Sequence, residues 1–273
     1  MSGFTRGPAL LFCPADRPDR YAKAAERADA VILDLEDAVP PGSRPAARDA
    51  LVASALDPLR TIVRVNPAGT AELAADLAAL ARTPYRTVML AKTASAAQLE
   101  SVAAQDRLGL EVVALVETAA GVLAAGEIAA HPSVVALMWG AEDLVASLGG
   151  TSSRFRDGRY RDVARHARST VLVAAGAHGK GAIDAVHVDL ADHEGLAAEA
   201  ADAVASGFAA TACIHPSQVA VVRAAYRPTA DDVAWARAVL AAADGREGVF
   251  RWDDQMIDGP VLRHAERVLG RIR

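Results

Sequence analysis

Short and almost wholly apolar runs recur along the chain, each ending in a charged or polar residue just before a turn. They are VILDLED at Asp34 to Asp37, TIVRVN at Arg64, VMLAK at Lys92, VVALVET at Glu117, VALMWGAED at Glu142 and Asp143, AVHVD at Asp189 and TACIHP at His215. Runs apolar at every position suit parallel strands buried on both faces, not the alternating pattern of a half-exposed antiparallel strand. Ala-rich amphipathic stretches separate them, and the polar endings return roughly every 25 to 30 residues, the length of one strand-plus-helix unit. The pattern predicts strands at residues 8–13, 31–35, 61–65, 87–91, 111–116, 134–139, 185–188 and 210–214. Eight such units make an α/β fold of the (β/α)8 TIM-barrel type, which gathers strand C-termini at one rim and brings side chains distant in sequence around one ligand.

Helices are expected between the strands. One runs over 18–27 with Asp16 near its start, and another runs from Ala46 to Leu56 after the Pro40-Pro41-Gly42 interruption, with Ser43 placed to cap it. The connection GGTSSRFRDGRY, residues 149–160, has little apolar content and reads as a mobile rim loop after the sixth strand. Past the eighth strand, residues 216–226 and 231–243 look helical, GVFRWDDQMIDGP breaks the pattern, and a last helix covers 261–269. We therefore expect a barrel domain over 1–226 and a helical and irregular extension over 227–273, packing on a neighbouring subunit.

The 273 residues fit one barrel plus an appendage, since such barrels commonly run to about 250 residues. A hydrophobic fraction of 52% supplies a core. No run approaches the roughly 18 apolar residues of a membrane span, and the first 20 residues lack a basic start followed by an apolar stretch, so the cytoplasm is the expected location. The net charge of −5, the 4% aromatic content and the lack of a basic stripe argue against nucleic acid as partner. Cys13 and Cys213 sit in apolar runs without CxxC spacing and read as small buried hydrophobes.

Chemistry is concentrated in the strand endings. Glu117 and Asp143 each follow a strand so apolar that the carboxylate either emerges at the rim or pays a large desolvation penalty. Two rim carboxylates with no His or Cys beside them form a hard oxygen site suited to Mg²⁺, or else serve as N-terminal charges of the following helices. Asp34, Glu36 and Asp37 crowd a third ending, and alternation along an extended chain would send Asp37 to the side opposite Asp34 and Glu36. Arg64 offers a planar, permanently charged fork for a carboxylate or a developing oxyanion, or an ion pair with that acidic cluster. Lys92 could form a Schiff base with a carbonyl substrate or neutralise its acidic neighbours.

Taken together, LLFCPADRPDRYAKA, VILDLEDAV with RPAAR, VRVN, ALVETAAGV, MWGAEDL, AIDAVHVDLADHEGL, IHPSQ and QMIDGPVLRHAE resemble, in order and spacing over nearly the full length, the citrate lyase beta-subunit-like family. This is the malyl-CoA and citramalyl-CoA lyase branch of the HpcH/HpaI aldolase superfamily. The resemblance implies Mg²⁺ as cofactor, held by Glu117 and Asp143, and a catalytic group of Arg64 on the substrate carbonyl, Glu36 near the metal, and Asp258 as an acid/base supplied by a neighbouring subunit. It further implies substrate or coenzyme A contacts at Arg17, Lys23, Asp37 and Lys92. The implied activity is cleavage or condensation of a short carboxylated 3-hydroxyacyl-CoA, giving acetyl-CoA or a related acyl-CoA and a 2-oxo acid such as pyruvate or glyoxylate. A homotrimer or multiple of trimers is the implied assembly. Two other readings stay open: a metal-dependent aldolase acting on free 2-keto-4-hydroxy acids, and a non-catalytic barrel that binds an acyl carrier.

Overall fold

A computed structural model describes residues 4–106, 108–246 and 248–272. In chain order its elements are β1 (Ala9–Pro14), α1 (Tyr21–Arg27), β2 (Ala30–Asp34), α2 (Arg44–Ala53), β3 (Thr61–Val65), α3 (Ala71–Leu80), β4 (Thr87–Leu90), α4 (Ala96–Gln105), β5 (Glu111–Val116), α5 (Ala119–Leu123), α6 (Ala125–Ala130) and β6 (Val134–Trp139). These are followed by α7 (Ala141–Ser147), α8 (Asp162–Ala177), β7 (Gly181–Asp184), α9 (His193–Ser206), β8 (Ala210–Cys213) and α10 (Pro216–Tyr226). Strands β1 to β8 pair in sequence order, all parallel, and β8 closes on β1. The expected (β/α)8 barrel is therefore the fold.

Closure follows from the apolar runs. Alternate side chains point inward, and Leu10, Ile32, Ile62, Met89, Val113, Leu115, Met138 and Ile183 fill the barrel interior. The intervening positions, Leu11, Val31, Leu33 and Val63, are buried as well. Both faces of each strand are thus apolar, which is why the sequence shows continuous runs.

Strand β7 departs from expectation. Its predicted place was 185–188, where Ala-Val-His-Val looks strand-like, but the paired strand is Gly181–Asp184. Gly181 pairs with Ala136, and a Cβ on it would collide with Phe4. The true strand is thus four residues with a glycine at its head, a weak signal, while the residues after it run on to the rim outside the ladder. Asp184, and not Asp189, is the polar ending of this strand.

Two helix starts also differ. The residues 18–27 divide into a single 3₁₀ turn, Pro18–Arg20, and α1. Helix α2 begins at Arg44; Ser43 occupies its N-cap position but makes no capping hydrogen bond, because a 3₁₀ turn over Pro41–Ser43 feeds directly into the helix. Cys13 and Cys213 are both buried, as expected, and neither is in a disulfide.

The chain divides into two compact units, Met1–Val222 and Arg223–Arg273. The second holds α11 (Ala230–Ala243), a hairpin of β9 (Phe250–Trp252) and β10 (Gln255–Ile257), and α12 (Gly259–Gly270). It has its own small core of Ala236, Val239, Ile257, Ala265 and Val268. Thr229 opens α11 with a reciprocal capping box to Asp232. The hairpin turns through Asp253 and Asp254, both at positive φ, as a tight two-residue connection demands.

Candidate active site

Five carboxylates and two cations meet at the C-terminal ends of β2 to β6. Arg64 lies within β3, beside Asp34 at the end of β2. The two form a forked pair, Nε to Oδ1 at 2.7 Å and Nη2 to Oδ2 at 2.5 Å, and Nη1 stands 3.2 Å from Glu36 Oε2. The Phe12 ring lies 5.0 Å from the guanidinium carbon. Burial works against the charge on Arg64, but Asp34 and Glu36 outweigh it and hold the guanidinium more firmly protonated than an ordinary arginine.

After Asp34 the chain turns. Glu36 and Ala38 donate their backbone N–H groups to Asp34, so the extended alternation stops there. The expectation that Asp37 would face away from Glu36 is consequently overturned: both carboxylates bond the same ammonium, Lys92 Nζ, with Asp37 Oδ2 at 3.0 Å. Asp143 Oδ1 lies 3.5 Å from the same nitrogen. Burial lowers the basicity of Lys92, yet the hydrogen bonds to Glu36 and Asp37 more than reverse this and hold it protonated. A Schiff-base lysine needs a neutral amine to attack a carbonyl, so this setting disfavours that chemistry at Lys92. For Glu36, burial outweighs Arg64 and Lys92 and raises its pKa; for Asp37, burial is overcome by Lys92 and the pKa falls.

Lys92 also contributes its backbone. Its φ of 52° is in the left-handed region, and its N–H donates to Glu117 Oε1 at 2.9 Å. Glu117 follows β5, is 3% exposed, and among the described residues has no ion-pair partner. Thr118, not Glu117, caps α5, so the carboxylate is free of that duty. Gly140, next to it at the end of β6, makes room: a Cβ there would stand 2.8 Å from Glu117 Oε2. Burial first, then the charge of Asp143, pushes Glu117 up to about 8. Asp143 sits in the first turn of α7.

This donor set suits a small hard cation. A buried carboxylate and a second one beside it, both oxygen donors, are what Mg²⁺ takes when waters or ligand oxygens complete its shell.

Arg17 is exposed and forks onto Asp19 at 3.0 and 2.9 Å, and Lys23 is exposed on α1. Asp258 is the N-cap of α12, accepting from the Val261 N–H at 3.2 Å.

A second polar network on the β6 to β8 side escaped the sequence reading. His187, buried, bonds Glu199 through Nδ1 at 2.8 Å, and Arg154 forks onto the same carboxylate. The Arg154 guanidinium stacks 3.7 Å above Tyr160, which meets Trp139 edge-on. Trp139 Nε1 donates to Asp184 at 2.6 Å, and Arg168 forks onto Asp184. Segment 149–160, expected from sequence to be a mobile rim loop, is closed by an Arg154–Tyr160 bridge and stapled to α9. Gln218 ties the ends of β7 and β8, its Oε1 accepting from Ile214 N–H and its Nε2 donating to the His187 carbonyl. The buried Gln in IHPSQ was the available signal for this tie. His215 is exposed and bonds only Ser217 through its ring.

Comparison with known proteins gives a consistent answer. The family model described as HpcH/HpaI aldolase/citrate lyase matches residues 9–216. A citrate lyase subunit beta-like protein of Mycobacterium tuberculosis is 60% identical over 265 residues, covering 97% of this chain and 95% of its own. A (3S)-malyl-CoA thioesterase of Cereibacter sphaeroides is 34% identical, with 96% and 92% covered. The mitochondrial citramalyl-CoA lyase of Rattus norvegicus is 28% identical, with 96% and 84% covered. The crystal structure of CitE from M. tuberculosis in complex with magnesium, acetoacetate and coenzyme A superposes with a TM-score of 0.91 at 59% identity, covering 98% of both chains. The same protein in complex with magnesium and pyruvate gives a TM-score of 0.83 at 55% identity, covering 97% of this chain and 98% of that one.

Proposed function

The chain belongs to the HpcH/HpaI aldolase/citrate lyase family, and we propose that it is a Mg²⁺-dependent carbon–carbon lyase acting on a short carboxylated 3-hydroxyacyl-CoA of the citramalyl-CoA or malyl-CoA kind. The products are an acyl-CoA, acetyl-CoA in the simplest case, and a 2-oxo acid such as pyruvate or glyoxylate; the same site serves the reverse condensation. One observation carries this reading: a buried Glu117 that forms no ion pair among the described residues stands beside Asp143, in the field of a guanidinium fixed by Asp34. The magnesium, coenzyme A and pyruvate of the CitE complexes support it.

Glu117 and Asp143 would hold the metal, which when bound would polarise the 3-hydroxyl oxygen so that its proton passes to water and the oxygen becomes the oxo-acid carbonyl, and would neutralise the adjoining carboxylate. Arg64 stabilises the negative charge that develops on the thioester oxygen as the carbon–carbon bond breaks and the acyl-CoA leaves as its enolate. Asp258 of a neighbouring copy delivers a proton to the enolate carbon, and removes one there in the condensation direction. Glu36 bonds both Arg64 and Lys92 and so fixes the spacing of the two cations. Lys92 and Asp37 border the substrate, while Arg17 and Lys23 offer positive charge to the phosphates of the coenzyme. This division of labour needs fixed positive charge and a proton donor but no nucleophile, consistent with the residues assembled.

The test is direct. Purified protein with Mg²⁺ and citramalyl-CoA or malyl-CoA should release acetyl-CoA and an oxo acid, detected as its phenylhydrazone, and EDTA should stop the release. Free coenzyme A without oxo acid would instead show thioester hydrolysis, the activity named for the C. sphaeroides relative. Asp143→Ala should abolish turnover while circular dichroism stays unchanged; full turnover by metal-stripped Asp143→Ala would sink the metal mechanism.

A further inference from the structure

Asp34 is fully buried and its acceptor capacity is spent. Oδ1 takes Arg64 Nε–H and the Glu36 N–H; Oδ2 takes Arg64 Nη2–H and the Ala38 N–H. Four bonds fill the roughly four lone-pair sites of a carboxylate, so nothing is left for a metal or a substrate. The effect on Arg64 is specific. Of the five N–H hydrogens of the guanidinium, two are committed to Asp34, and the three that remain sit on Nη1 and Nη2. The Phe12 ring flanks the group and Glu36 stands beside Nη1, so the fork is held on one edge, over one face and at one tip.

We propose that Asp34 is a positioning residue: it sets which edge of the Arg64 guanidinium is presented to the reacting oxygen, without touching substrate or metal. This rests on the reading of Arg64 as the group that stabilises the enolate. A misplacement of about 1 Å at a catalytic group can cost on the order of 10²-fold in rate, and a long side chain released from its anchor moves at least that far.

Asp34→Asn keeps the size and one acceptor oxygen but turns an N–H donor toward the guanidinium. We expect kcat to fall about 10²-fold while KM for the acyl-CoA stays within about threefold, because the contacts to the coenzyme and to the metal are untouched. In an Arg64→Lys background the same substitution should cost less than about threefold, since residues acting as a unit do not add. An equal loss in both backgrounds would mean that Asp34 acts only by bracing the 34–38 turn, and overturns the proposal; so does an unchanged kcat. Asp34→Glu, which keeps the charge and displaces the guanidinium by one methylene, replaces Asp34→Asn if that variant does not fold. Crystal structures of wild type and Asp34→Glu give an arm independent of turnover: the guanidinium should shift with residue 34, and a guanidinium in its original place contradicts the inference. If wild type cleaves no acyl-CoA, the lyase reading fails while this structural arm still decides what positions Arg64.

Discussion

Gly140 has an ordinary extended backbone, φ −127° and ψ 122°, so its missing side chain serves space and not conformational freedom. The room belongs to Glu117, whose Cβ and Oε2 stand 2.9 and 2.8 Å from where a Cβ on residue 140 would lie. Gly140→Ala should therefore displace the carboxylate, costing about 1–3 kcal/mol as overpacking does and weakening the metal site. Calorimetric titration with Mg²⁺ should show a loss of at least tenfold in affinity, and thermal denaturation a drop in Tm; wild-type affinity would show that Glu117 yields without consequence. Lys92 is the converse case, a residue whose backbone matters as much as its side chain. The sequence announced Glu117, Asp143, Arg64 and Lys92 because a charge at the end of an apolar run is visible as a break in pattern. It could not announce that Lys92 adopts φ 52° and donates its N–H to Glu117, since main-chain donors carry no letter of their own. Nor could it show that Asp34 is spent on Arg64, because pairing across β2 and β3 is set by register.

At the level of elements, strands of five or six residues, such as β3, β5 and β6, were legible to the residue. Strand β7 was not, because a glycine-headed strand of four residues followed by an extended connector presents its apolar run four residues too late. That connector carries His187, whose hydrogen bond to Glu199 holds it more basic than its ordinary 6.5, with burial opposing. Asp192 adds attraction and Arg154 repulsion from the elements around it. A histidine whose folded pKa is raised contributes stability fully present below about pH 6.5 and lost as the pH climbs through the raised value. His187→Gln should thus lower Tm more at pH 6 than at pH 8.5. Equal losses at both pH values, measured by differential scanning calorimetry, would show that the imidazole is held for packing alone.

For the molecule as a whole, the two compact units carry different parts of the proposed chemistry: Arg64, Glu117 and Asp143 in Met1–Val222, and Asp258 in Arg223–Arg273. If Asp258 works across copies, inactive variants should complement. Co-expressed Asp258→Ala and Arg64→Ala chains should form mixed oligomers with about a quarter or more of wild-type turnover, whereas each alone loses at least 10²-fold, as expected when a proton-transfer group is removed. Mixed oligomers that stay as inactive as their parents would place both residues in one chain's site or remove Asp258 from the reaction. No described helix is long and apolar enough to cross a membrane. Barrel closure has a separate consequence for survival of the chain in a crowded solution. Because β8 pairs with β1, none of the eight barrel strands has a free edge on which a foreign strand could be templated. Among the described residues that hazard is confined to the β9–β10 ribbon, whose strands are three residues long, with Arg251 in β9 and Asp253 and Asp254 in the turn, too short and too charged to seed an aggregate.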